Sequence, residues 1–209
     1  MMRRTTTVTL AALLALSSAP ALAQEAEESA GPGTDLTQRV EAPQVGLSIA
    51  FPEGWRVSQP EGTRESALTT AEGEPILETT AVYANGRDAG LCDVDVYLDT
   101  DAPLEQHAFA YVRFLEQTFG GVPMVVSETE LPAGPAYRIE MVDAERQRIR
   151  SLFLFDGLAA EDGSTDRFLL SCATPPDAEP IGQAVAESVT LYAPVEAEAS
   201  AAPAEAPAE

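Results

Sequence analysis

Lysine is absent from this chain of 209 residues, and its 12 basic side chains, all arginines, stand against 34 acidic ones. The resulting net charge of -22 leaves no cationic surplus with which to displace counterions from phosphate, which excludes a nucleic-acid binder of the usual kind. It equally opposes attraction to anionic lipid. One histidine and two cysteines make three such side chains, one short of the four that a structural Cys/His zinc site needs. After Val8–Leu16, no apolar run approaches the ~20 residues of a membrane helix, so membrane insertion is not expected. Phosphate loops, dinucleotide fingerprints, nucleophile elbows and Cys-x-x-Cys pairs are missing, and no motif implies a cofactor. The 45% of hydrophobic residues still suffices for one core.

The start of the chain reads as an address. Arg3 and Arg4 precede the apolar stretch, Ser17, Ser18 and Pro20 break it, and Ala21-Leu22-Ala23 offers the small-residue pattern of signal-peptidase cleavage. A signal peptide over 1–23 is therefore expected, and export by general secretion with it. The all-arginine, alanine-rich composition suggests a high-GC bacterium, hence a periplasmic destination. Residues 24–44, poor in large apolar groups, read as a flexible leader. Residues 194–209 (PVEAEASAAPAEAPAE) read as a disordered tail, either a spacer or a merely solvating end. Between them, 45–193 has the size of one domain.

Inside that span the apolar residues mostly alternate. Leu47, Ile49 and Phe51 do so, as do Cys92, Val94 and Val96, then Tyr137, Ile139 and Met141, and finally Phe168, Leu170 and Cys172. Short gaps such as Asn85-Gly86 favour antiparallel connections. Helical spacing replaces the alternation at Pro103–Phe119, where Leu104, Ala108, Tyr111, Val112, Leu115 and Phe119 form one stripe. Asp101 is positioned to cap that helix and Gly120-Gly121 to end it. A second helix is expected over 179–189. The fold class is α+β, an antiparallel sheet flanked by helices.

Leu47–Val57 (LSIAFPEGWRV) resembles the opening strand of the PsbP-like/Mog1-like superfamily. The close is similar as well: Phe168–Thr174 (FLLSCAT), a proline-containing loop, then a helix running into Glu187–Leu191 (ESVTL). The resemblance covers 45–192. It implies an antiparallel sheet between helices and a binding or assembly role in place of an enzymatic one, and it carries over neither catalytic residues nor a partner.

Several residues invite function. Cys92 and Cys172 fall at inward strand positions in an exported chain and predict a disulfide, with two buried thiols as the alternative. His107 is a base or ligand by type, but beside the helical stripe it reads as a flank residue on the core's edge. Asp93, Asp95, Asp99 and Asp101 supply the oxygen ligands calcium favours, but without the glycine and terminal glutamate of an EF-hand loop they read as a solvated face. Trp55 reads as a core anchor. Arg146, Arg148 and Arg150 are the one basic cluster; on alternate strand positions they share a face, fit to clamp an acidic partner or to pair across the sheet with Glu128, Glu130 or Glu140.

These features point to an exported periplasmic accessory or binding module, not an enzyme, acting through protein–protein contact at the face bearing Arg146, Arg148 and Arg150. The alternative is a carrier of a small ligand or divalent cation. Oligomeric state is not readable from the chain.

Overall fold

A computed structural model describes residues 35–69, 73–143, 146–159 and 164–195. The expected signal peptide, the leader up to residue 34 and the tail from residue 196 lie outside them. The strands are β1 (Leu36–Ala42), β2 (Leu47–Pro52), β3 (Arg56–Ser58), β4 (Arg64–Thr69), β5 (Pro75–Asn85), β6 (Leu91–Thr100), β7 (Met124–Leu131), β8 (Gly134–Asp143), β9 (Arg148–Ala159), β10 (Thr165–Thr174) and β11 (Thr190–Leu191). Helix α1 (Leu104–Phe119) interrupts them between β6 and β7, and α2 (Glu179–Glu187) precedes β11.

Eight strands form one sheet in the order β3-β5-β6-β10-β9-β8-β7, with β4 also on β5, and β1-β2-β11 form a second sheet of three. Every pairing is antiparallel, so the fold is α+β as the alternation predicts. Period-two patterning gives the large sheet two apolar faces. On one, Val94, Phe153, Phe155, Phe168 and Leu170 pack beneath α2 and the small sheet. On the other, Tyr97, Ile139, Leu152, Leu154 and Leu169 pack beneath Ala108 and Leu115 of α1. The large sheet is thus the middle layer of three.

Four expectations change. Residues 36–42, expected within the flexible leader, form β1, paired from Leu36↔Pro52 to Ala42↔Leu47. Its inward Leu36, Val40 and Ala42 meet the core, and its polar side is held by hydrogen bonds: Arg39 Nη1 donates to Ser48 Oγ at 2.6 Å, which donates to Glu41 Oε1 at 2.9 Å. At the other end Val195, expected in the tail, donates its N–H to Pro43 O at 2.9 Å, so the ordered domain is wider than 45–193. Helix α1 starts after Pro103 with no side-chain cap, leaving Asp101 outside the expected role. Finally, α2 ends at Glu187, with the Ser188 N–H still bonded to Ala184 O at 3.1 Å.

The disulfide forms: Cys92 and Cys172 are bonded, their Cα atoms 4.1 Å apart and opposite each other on β6 and β10. Gly182 of α2 lies directly above, where a Cβ would stand 3.3 Å from that of Cys172, so the absent side chain lets the helix approach the bridge closely. Trp55 anchors the core as expected, stacked on Phe51 with ring centres 6.0 Å apart.

Candidate functional site

One row of side chains crosses the large sheet on the α1 side. Asn85 of β5 pairs with Leu91 of β6, Leu91 with Ala173 of β10, Ala173 with Arg150 of β9, and Arg150 with Met141 of β8. Helix α1 ends before it covers this row. Gly120 and Gly121, both at positive φ, turn the chain away, and the uncovered row becomes the floor of a cleft of about 310 Å³. At about 4.8 Å per strand, Asn85 to Met141 spans about 19 Å.

Two turns form the walls. In the β5–β6 turn, Arg87 adopts φ 56°, and its N–H donates to Asn85 Oδ1 at 2.7 Å. That turn rests on the core, because Gly86 leaves no room for a Cβ against the Trp55 ring. Gly90 brings it down onto the end of β10, where a Cβ would lie 2.9 Å from Ala173 O. In the β8–β9 turn, Gln147 adopts φ 51° between Arg146 and Arg148. The Arg146 N–H donates to Asp143 Oδ1 at 3.0 Å and its guanidinium reaches Asp143 Oδ2 at 3.6 Å. A left-handed conformation at a non-glycine residue is held against its own cost by its surroundings, and such positions concentrate at functional sites. Here one occurs in each wall, next to or at an arginine.

Arg87, Arg146, Arg148 and Arg150 all line the cleft. Arg150 lies over the Phe119 ring at 5.6 Å, and Nη1 of Arg148 is buried without a hydrogen-bond partner. Outside the cleft, Arg64 is paired with Glu78 at 2.6 Å, Arg138 with Glu140 and Glu179, and Arg167 with Asp156 at 2.7 Å, whereas Arg56 and Arg113 are exposed without an ion pair among the described residues. Among the described residues, Arg87, Arg148 and Arg150 have no carboxylate within 4.0 Å.

The structure therefore brings Arg146, Arg148 and Arg150 together, with a correction to how. Strand β9 begins at Arg148, so Arg146 joins from the turn. None of the three pairs with Glu128, Glu130 or Glu140 among the described contacts: Glu140 engages Arg138 and Glu128 accepts from Tyr137 Oη at 3.3 Å. Arg87, about sixty positions earlier, is a member that the sequence alone does not reveal. The Asn85-Gly86 turn was legible, but what it faces depends on the order of strands.

The acidic run differs from a solvated face. Asp93 and Asp95 point from β6 toward α1, as Tyr97 does, in the next rows inward from the cleft floor. Burial raises the Asp93 carboxyl to about 7, with Asp95 adding to the rise and Arg150 and Arg64 opposing it. Asp95 is also raised by burial, less the effect of accepting from Thr80 Oγ1 at 2.6 Å. Above them Tyr111 is driven up by burial and by both aspartates. The Asp99 side chain lies outside the described residues. Among those described, no three His, Cys, Asp or Glu side chains gather to hold an ion.

His107 is not an edge residue. It is 2% exposed, edge-on to Tyr97 at 6.2 Å, with neither ring nitrogen hydrogen-bonded. Burial lowers it to about 4, helped by Arg167 and opposed by Asp156 and Asp101.

No protein-family model matches the chain, and no curated protein matches it. Among solved structures it is similar to LpqN of Mycobacterium tuberculosis, a protein involved in cell envelope biogenesis. The identity is 11%, over 74% of this chain and 89% of that one, with a TM-score of 0.41.

Proposed function

We propose that the protein is an exported, periplasmic, non-enzymatic accessory module that captures a partner protein in the arginine cleft, on a scaffold of the PsbP-like/Mog1-like kind. The carrying observation is the gathering of four of the chain's 12 arginines around one cleft, three of them without a carboxylate partner among the described residues, in a chain of net charge -22. Guanidinium groups are planar donors that bind carboxylates bidentately, and arginine is enriched where surfaces recognise partners. The disulfide belongs to oxidising compartments and supports export. No helix of the described residues is long and apolar enough to cross a membrane.

The test is capture. Crosslinking in native periplasmic extract is expected to join the wild-type protein to one recurrent partner and to fail for the triple variant Arg146→Gln, Arg148→Gln, Arg150→Gln, whose melting temperature should stay close to wild type. Unchanged capture by a folded triple variant overturns the reading.

A second reading, a small-ligand carrier, draws on the cleft's size: about 310 Å³ falls at the lower end for small-molecule sites. A ligand that prefers the folded state raises the melting temperature, so a screen of small anions, with calcium, zinc and copper for the cation version, tests it.

A further inference from the structure

The shape of the cleft narrows what it can hold. Its charge is spread along its length: Arg87 stands on one wall, Arg150 in the floor, Arg146 and Arg148 on the other wall, the two turns lying about 14 Å apart across the sheet. A site for one compact anion instead aims its donors at a single centre. Around Arg150 the floor is apolar or small, with Leu91 and Ala173 on one side of it and Met141 on the other, Val122 alongside, while Asp143 lines the Arg146–Arg148 wall. A long cleft with arginines on both walls and apolar floor on either side of Arg150 complements an extended chain with acidic side chains. In such a chain residues i, i+2 and i+4 share one face, and i to i+4 spans about 13 Å, so two carboxylate side chains reaching outward cover the distance between the walls.

We infer that the cleft takes an extended peptide segment of the pattern acid-x-apolar-x-acid, its outer carboxylates on the Arg87 wall and the Arg146–Arg148 wall and its central side chain over Ala173, beside Leu91. The inference deepens the proposed function and rests on its reading of the cleft as the partner site. Arg87 and Arg148 have no carboxylate partner among the described residues, which leaves a guanidinium on each wall for a carboxylate of the segment. The seat of Arg150 on Phe119 holds a third guanidinium near the middle of the floor, within reach of the segment's backbone carbonyls.

The experiment titrates the full-length protein, labelled with nitrogen-15, with the blocked pentapeptide Glu-Ser-Leu-Ser-Glu and follows the amide resonances. The comparison ligands are Gln-Ser-Leu-Ser-Gln, Glu-Ser-Ser-Ser-Glu and inorganic phosphate. Shifts are expected to cluster at Leu91, Ala173, Arg150 and Met141. Exchanging both glutamates for glutamine should weaken binding at least about tenfold, since hydrogen bonds to charged groups contribute more than neutral ones. Exchanging leucine for serine should weaken it by about fivefold or more. Arg87→Gln and Arg148→Gln should each weaken the parent peptide and leave the spectrum otherwise folded. Phosphate perturbing the same amides with equal affinity, or the glutamine peptide binding as well as the parent, overturns the inference, as do shifts confined elsewhere. A failed titration alongside lost capture by the triple variant leaves the protein-contact reading standing and this inference refuted. A positive titration alongside unchanged capture does the reverse.

Discussion

The Arg150 guanidinium lies 5.6 Å from the centre of the Phe119 ring, so the last residue of α1 is also the support of an arginine in the cleft floor. This contact joins the helix end to the recognition surface. It fixes a long side chain that would otherwise sample many rotamers, in a place where any ligand would have to order it.

Replacing that ring tests the coupling. Phe119→Leu keeps an apolar group of similar size and removes the π face, so it should cost about 0.5–1 kcal/mol by the usual strength of a cation–π contact. In an Arg150→Gln background the same change should cost almost nothing. Urea unfolding of the four proteins in this cycle measures the difference, and equal costs in both backgrounds would show that Phe119 acts on packing alone.

The disulfide closes a loop across a sequence separation of 80 residues. On the chain-entropy model such a bridge stabilises the fold by about 4 kcal/mol. The double variant Cys92→Ala, Cys172→Ala should melt about 10 °C lower, given a few degrees per kcal/mol at this size. Calorimetry with and without reductant checks it: reductant should lower the wild-type melting temperature and leave that of the double variant unmoved. Equal melting of wild type and variant without reductant would mean that the bridge adds no stability.

Much of this architecture was legible beforehand, because alternation and helical spacing are local. Pro103–Phe119 was recognisable as a helix from one apolar stripe, and Cys92 and Cys172 as inward residues from the parity of their strands. What stayed hidden depended on pairing. Strand β1 is short of apolar residues and owes its place to the β2 ladder and to Arg39, Ser48 and Glu41. Asp93 looks solvated on its strand, yet its carboxyl is largely withdrawn from water and lies near enough to Tyr111 of α1 to raise that hydroxyl's pKa. Arg87 joins Arg148 through the neighbourhood of β5, β6, β10 and β9, an order that single-chain periodicity does not encode. The arginine triplet was visible as a cluster, whereas its cleft was not.

Asp93 should make stability depend on pH. Its carboxyl ionises near 3.8 when unfolded and at about 7 when folded, so between these values the native state holds more protons. Stability therefore falls as pH rises through that window, and the full penalty persists above it. The groups acting on it are Asp95, which raises it further, and Arg150 and Arg64, which oppose the rise. Asp93→Asn keeps the shape and removes the charge. The variant should match wild type near pH 4 and exceed it at pH 8 by an amount on the order of a few kcal/mol. Chemical unfolding at pH 4, 6 and 8 reads this directly, and a difference that does not change with pH would refute it.

His107 tilts the same window the other way. It ionises near 6.5 when unfolded and about 4 when folded, lowered first by burial and then by Arg167, with Asp156 and Asp101 opposing. Between those values the unfolded state holds more protons, so this residue costs stability as pH falls from 6.5 toward 4. In wild type the two slopes oppose each other, and each variant should expose the other's. His107→Leu should gain stability on acidification from pH 7 to 4.5 relative to wild type, because only the Asp93 contribution remains. Asp93→Asn should lose it, because only the His107 contribution remains. At pH 8 the leucine variant should be as stable as wild type or more so, since neither ring nitrogen has a hydrogen bond to lose and removing both orphans no partner. Parallel pH profiles for wild type and His107→Leu would mean that the histidine is protonated or solvated in the native state, and that the buried environment assigned to it is wrong.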